Sequence, residues 1–150
     1  MTKIESMTCF SVYALNRLIN RVYGPLLKKI DLTYPQLIIL LVLGEKQEQF
    51  VDQLCTRTYL DTGTLTPLLK RLEGKEFVTR IRDLKDERRV AVRITHKGKQ
   101  LLETQIAPVF NEIKCVFQLE EHQFDTLNNL LEISLKNIYN NLNIDGEKNV

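Results

Sequence analysis

Three cysteines carry the most reactive side chains in this 150-residue chain: Cys9, Cys55 and Cys115. Cys9 opens an amphipathic stretch that reads as a helix. A helix N-terminus favours the thiolate over the thiol. A thiolate attacks the O–O bond of a peroxide and becomes a sulfenic acid. Three is too few and an odd number for a disulfide framework, and in a reducing cytosol such thiols rest reduced. A cysteine on an apolar helix face is more often core than reagent. Cys55 is read that way, whereas Cys9 is favoured as a reactive site by its position at the head of the helix. The two histidines, His96 and His122, read as exposed helix starts. No His/Cys cluster has zinc spacing, and no Gly-rich phosphate loop or Ser/His/Asp set is legible. The sequence therefore predicts no metal, no cofactor and no enzyme.

Charge points to a second kind of chemistry. The net charge is only +2. Residues 60–100 hold 11 Lys/Arg against 6 Asp/Glu, and residues 101–150 hold 3 against 8. A basic middle beside an acidic end suits a polyanionic partner for the middle. The N-terminal MTKIESMTCF lacks the apolar core of a secretion signal, and the longest apolar run, Leu37 to Leu43, is far shorter than a membrane span. The expectation is a soluble cytoplasmic chain with no membrane partner.

The elements that would position these residues follow from periodicity. Residues 6–30 carry apolar side chains at helical spacing, with Gly24-Pro25 expected to kink or split the helix. Thr33, Pro35 and Gln36 predict a capped start for the next helix, which Gly44 should end. Residues 51–58 make a short helix with Val51, Leu54 and Cys55 inward. The stretch YLDTGTLTPLLKRLEGKEF, residues 59–77, starts another, although Thr62, Gly63, Thr64, Thr66 and Pro67 crowd its beginning. Two caps are open: Asp61, favoured, with a slight kink at Pro67, or Thr64. The period then alternates. FVTRIRD and RVAVRIT predict two strands joined by a polar turn, with Val90, Val92 and Ile94 on one face and Ala91, Arg93 and Thr95 on the other. Thr95 is expected to cap the helix of residues 96–117, which Pro108 bends or breaks. Residues 119–142 form a last helix with Phe124, Leu127, Leu131, Leu135, Ile138 and Leu142 in one stripe, followed by a frayed tail.

That order is a winged helix-turn-helix: mainly α, with a small β-hairpin wing. In such a module the second helix of the pair enters the DNA major groove. Its N-terminal turn suits phosphate, and threonine hydroxyls and methyls suit base edges. Thr62, Thr64, Thr66, Lys70 and Arg71 are the expected DNA residues on the helix. Lys85, Asp86, Arg88 and Arg89 are those of the wing, where long cations reach the minor groove and Asp86 would hold the Arg88 guanidinium.

The motifs DTGTLTPLLKRLE, DERR and ITHKGKQLL together resemble the MarR family of transcription regulators. The segment CFSVYALNRLINRVYGPLLKKIDLTYPQ resembles that family's thiol-based oxidation-sensing branch, typified by OhrR, SarZ and MgrA, in its two-cysteine form. The resemblance runs from about Cys9 to Leu142. It implies a single MarR-type domain over 1–150, with residues 6–32 and 96–142 as dimerisation helices and 33–95 as the winged helix-turn-helix. It also implies a homodimer that grips a pseudo-palindromic operator, and a DNA-binding regulator, expected to be a repressor, that releases DNA on oxidation. The branch's sensing residues map onto Cys9, with Tyr13, Tyr23 and Tyr34 supporting the thiolate and organic hydroperoxide as oxidant. Cys115 of the partner subunit is expected to resolve oxidised Cys9 as a disulfide. Two rivals remain at this stage: the same dimer released by a small aromatic ligand with incidental cysteines, and a thiol peroxidase.

Overall fold

The computed structural model describes residues 3–4, 7–83, 86, 89–108 and 117–146. The chain divides into two compact units, Met1–Phe110 and Asn111–Val150.

The first unit begins with α1, Thr8–Lys29, whose apolar positions meet the rest of the unit mainly through buried Tyr23 and Leu27. The expected break at Gly24-Pro25 does not split it. Both residues are exposed, so the carbonyl that Pro25 deprives of a donor can meet water. After a turn, α2 spans Tyr34–Lys46 and buries Gln36, Leu37, Ile39, Leu40, Val42 and Leu43. Its start is capped as expected, the Thr33 amide donating to Gln36 Oε1 at 3.0 Å. Its end is not where Gly44 suggests. The helix runs on to Lys46 and stops at Gln47, whose φ of 54° is left-handed. Gly44 serves packing instead: a Cβ there would lie 2.8 Å from Leu102 Cδ1.

A short strand follows that the sequence reading did not include. Strand β1, Glu48–Phe50, leads directly into α3, Val51–Thr58. Helix α4 spans Thr62–Gly74, β2 Val78–Arg82, β3 Val90–Ile94 and α5 His96–Leu101, which continues as a π-helical turn over Leu102–Ile106. The sheet therefore has three antiparallel strands in the order β1-β3-β2, not two. Gln49 faces Val92, and Val78 faces Ile94. Strand β1 is held by more than its ladder: buried Gln49 donates from Nε2 to the Val42 carbonyl, and Glu48 pairs with Arg93. With a neighbour on each side, β3 is central. Val92 and Ile94 are buried as their alternation predicts, but so is Ala91 on the opposite face.

The core is the meeting of α2, α3, α4 and the sheet, with Leu37, Ile39, Leu40, Leu43, Leu54, Leu65, Leu69, Leu72 and Val92 almost without exposure. Leu65, Leu69 and Leu72 recur at helical spacing and turn one face of α4 inward. A second set of contacts seats α5 on the sheet. The Thr95 hydroxyl accepts from the Gly98 amide at 3.0 Å and donates to the Glu76 carbonyl at 2.6 Å. Gly98 lies so close that a Cβ there would fall 2.4 Å from the Phe77 carbonyl oxygen. Thr95 is thus the N-cap that the sequence predicts.

The second unit contains α6, Glu121–Gly146. It runs past Leu142, where fraying was expected, to Gly146; the last four residues lie outside the described set. Phe124, Leu127 and Leu131 are half-buried, while Leu135, Ile138 and Leu142 are exposed. Whether Pro108 ends its helix also falls at the border of the described residues.

Candidate functional site

Helix α4 resolves the crowding at its own beginning. Asp61, not Thr64, is the N-cap: the Thr64 amide donates to Asp61 Oδ1 at 2.7 Å and the Thr64 hydroxyl to Oδ2 at 3.0 Å. These bonds, the backbone one foremost, hold the Asp61 carboxyl below its ordinary range. Pro67 then sits in the helix interior on the exposed face, where its missing donor leaves a carbonyl open to solvent. Thr66 donates its hydroxyl to the Thr62 carbonyl at 2.7 Å. The Thr62 hydroxyl lies 3.7 Å from Cys55 Sγ. All three threonine hydroxyls thus have partners within the chain, while Thr62 and Thr64 remain exposed and Thr66 is half-buried. They share the outer surface of α4 with the exposed Gly63, Pro67, Lys70 and Arg71. The buried leucine stripe fixes which face this is.

The wing joins this helix through an ion pair. Glu73 Oε2 accepts from Arg80 Nε at 2.8 Å and Nη2 at 2.5 Å, while Oε1 accepts from the Arg80 amide at 3.0 Å. Arg80 holds the Glu73 carboxyl below its ordinary range. At the far end of the wing, Lys85 and Arg88 lie outside the described residues, so the expected Asp86–Arg88 pair does too. Asp86 is exposed, and its carbonyl accepts from the Arg89 amide at 2.9 Å. The Arg89 side chain turns to its own chain: Nη2 lies 3.1 Å from Asp52 Oδ2, and the guanidinium carbon 3.8 Å from the centre of the Phe50 ring. Nothing in the sequence spacing announced that contact, because it depends on the short strand β1.

Cys9 is the second residue of α1 and is exposed. No acidic residue shares its first turn. Tyr13, one turn on, is 58% exposed, and its hydroxyl accepts from Arg17 Nη1 at 3.3 Å. Tyr23 and Tyr34 meet across the α1–α2 junction with ring centres 4.9 Å apart. Burial raises both phenol pKa values above the ordinary 10.0, and for Tyr23 the neighbouring Tyr34 adds to the rise. Cys55 is half-buried rather than in the core where the sequence reading has it, and Cys115 lies outside the described residues. His96 and His122 are exposed at helix starts. Among the described residues, no group of His, Cys, Asp or Glu is arranged to hold a metal ion. No described helix is long and apolar enough to cross a membrane.

Comparison with known proteins places this geometry. Residues 21–104 match the family model described as transcriptional regulator SarA/Rot. The chain is 39% identical over 137 residues to the HTH-type transcriptional regulator SarZ of Staphylococcus saprophyticus, covering 91% of this chain and 90% of that one. It is 42% identical over 104 residues to the organic hydroperoxide resistance transcriptional regulator of Bacillus subtilis, covering 69% and 71%. Among solved structures, reduced AbfR bound to DNA matches with a TM-score of 0.71 at 34% identity over 87% of this chain and 91% of that one. AbfR, of Staphylococcus epidermidis, has also been solved with a disulfide formed, at a TM-score of 0.62 and 33% identity over 85% and 88%.

Proposed function

Because the chain belongs to the SarA/Rot family of transcriptional regulators, in its MarR-like winged-helix form, we propose that it is a cytoplasmic, homodimeric repressor that senses organic hydroperoxide through Cys9 and leaves its operator when that residue is oxidised. Two winged lobes would read successive major grooves of a pseudo-palindromic operator, with Thr62, Thr64, Thr66, Lys70 and Arg71 facing the groove and Lys85, Arg88 and the wing flanking it. In this reading residues 33–95 form the DNA-binding part. Residues 6–32 and 96–142 pair with their counterparts, covering apolar side chains such as Val12, Leu18, Leu130 and Ile138 that the single chain leaves about half exposed.

The single observation that carries the sensing part is Cys9, exposed at the head of α1 in a chain whose relatives are named as organic hydroperoxide and SarZ-type regulators. The chemistry balances as follows. The Cys9 thiolate attacks one peroxide oxygen, the O–O bond breaks, and the departing alkoxide takes a proton to leave as an alcohol. The sulfur is now a sulfenic acid. The Cys115 thiolate of the partner subunit attacks that sulfur, an S–S bond forms, and hydroxide leaves to become water. Tyr13, with Tyr23 and Tyr34 of the partner subunit, would donate hydrogen bonds to the Cys9 sulfur, since within one chain Tyr23 stands about 21 Å along α1 from Cys9. The raised pKa values of Tyr23 and Tyr34 keep those phenols protonated, as donation requires. A disulfide demands Cα atoms within about 7 Å, so any rearrangement needed to close it would be transmitted to the lobes. The solved disulfide form of AbfR supports the plausibility of such a state in this family.

Non-reducing electrophoresis after cumene hydroperoxide tests the pairing. The wild-type chain should migrate as a covalent dimer, and Cys115→Ser should not. A covalent dimer that persists in Cys115→Ser excludes Cys115 as the resolving residue.

A further inference from the structure

Arg89 occupies a singular place in the wing. Its backbone closes the loop: its carbonyl accepts from the Asp83 amide at 3.0 Å, and its amide donates to the Asp86 carbonyl at 2.9 Å. Its side chain leaves the wing and reaches the helix-turn-helix. The guanidinium stacks on Phe50 at 3.8 Å and pairs with Asp52 at 3.1 Å. Phe50 ends β1 and Asp52 lies in the first turn of α3. Phe50 also faces Ala91 in the sheet, so its backbone pairs with the strand that Arg89 leads into. One residue therefore joins both ends of the wing loop to the start of α3.

We propose that Arg89, held by Phe50 and Asp52, is a positioning residue for DNA recognition: it fixes the base of the wing against α3, so that the wing loop between Asp83 and Arg89 is presented at a set distance from α4. This rests on the DNA-binding reading above and replaces the expectation that Arg89 itself enters the minor groove. The planar fork of arginine suits the double contact, stacking on a ring while pairing a carboxylate, and lysine cannot reproduce it. The Glu73–Arg80 pair performs the corresponding task for the first wing strand, tying β2 to α4. The two ion pairs attach the two strands of the wing to two different helices of the DNA-reading pair.

The sign of one substitution separates this role from ordinary electrostatics. Asp52 is an exposed carboxylate on the DNA-binding unit. Removing a negative charge near a polyanion strengthens binding by simple attraction. If Asp52 anchors Arg89, Asp52→Asn instead weakens binding, because the wing loses its seat.

The experiment is a double-mutant cycle of Asp52→Asn and Arg89→Gln. It measures affinity for a duplex carrying the region upstream of the protein's own coding sequence, together with backbone amide order of Asp86 and Val90 by NMR in the absence of DNA. The proposal expects each single variant to bind roughly ten-fold more weakly, the double variant no worse than Arg89→Gln alone, and both amides to lose order in each variant. Arg89→Lys should bind as poorly as Arg89→Gln; full affinity in Arg89→Lys would mark a phosphate contact and overturn the proposal. Unchanged or tighter binding by Asp52→Asn, or additive losses in the double variant, would also overturn it. Should the wild-type chain bind no duplex, the DNA reading fails, and the amide order still decides whether the clamp exists.

Discussion

The rings of Tyr23 and Tyr34 lie 4.9 Å apart, tilted at 59°, where α1 turns into α2. This contact joins the helix that carries Cys9 to the helix at the centre of the DNA-reading core. Tyr23 is buried and Tyr34 half-buried, so both phenols resist ionisation.

That resistance predicts how stability responds to alkali. In the unfolded chain the two phenols ionise near the ordinary value of 10.0, while in the folded chain they stay protonated to higher pH. The folded state then holds more protons, and stability falls as pH rises above 10.0 toward the folded values. Tyr23→Phe removes one of the two groups, so its denaturation midpoint should fall less over the same interval. Equal slopes for the two proteins would show that Tyr23 contributes nothing to the alkaline limb.

Acid acts at the N-terminus of α4. The Thr64 amide and hydroxyl hold the Asp61 carboxyl below its ordinary 3.8. Its stabilising contribution is therefore present above that value and is lost as pH falls through the lower folded value. Asp61→Asn keeps a cap acceptor without the titration, so its stability should vary less with pH below 3.8. Asp61→Ala loses the cap itself and should show faster amide exchange at Thr64 and Leu65. Unaltered exchange at both amides in Asp61→Ala would remove the cap from the account of how α4 begins.

Lys70 and Arg71 project from α4 beside the threonines. If each neutralises one phosphate, alanine at either position weakens binding about equally for specific and random duplexes. The slope of log affinity against log salt should drop by about 0.9 per removed charge. A variant that loses affinity for one sequence alone, with its salt slope intact, would make that residue a reader of bases.

Much of this architecture is legible in residue order, for identifiable reasons. Residues 90–94 mark a strand because Val90, Val92 and Ile94 alternate as side chains on a strand do, and residues 78–82 mark its partner by their Val, Thr and Ile content. Asp61 and Thr95 mark helix starts because their oxygens accept from the amide three residues on. Strand β1 is hidden because three residues carry no period, and its seat depends on a distant partner, Arg93, and on the carbonyl of Val42. Gly44 misleads because glycine serves two ends: it can stop a helix, or it can let another element come close, and here Leu102 comes close. Arg89 is the corresponding lesson for the site. A cation in a wing reads as a DNA contact until the ring and carboxylate beside it become visible in three dimensions. Cys115, Lys85 and Arg88 fall outside the described residues, so the role of Cys115 rests on the resemblance to the thiol-sensing branch and those of Lys85 and Arg88 on the basic character of the wing.

The central claim is that oxidation of Cys9 governs occupancy of DNA. The most direct measurement is a footprint on the protein's own upstream region with reduced protein, with protein treated with cumene hydroperoxide, and with treated protein then given dithiothreitol, each alongside Cys9→Ser. The account predicts protection by reduced protein, its loss after the peroxide, its return with dithiothreitol, and protection by Cys9→Ser under all three conditions. Protection that survives the peroxide in the wild-type chain, or that is lost just as readily in Cys9→Ser, would contradict it.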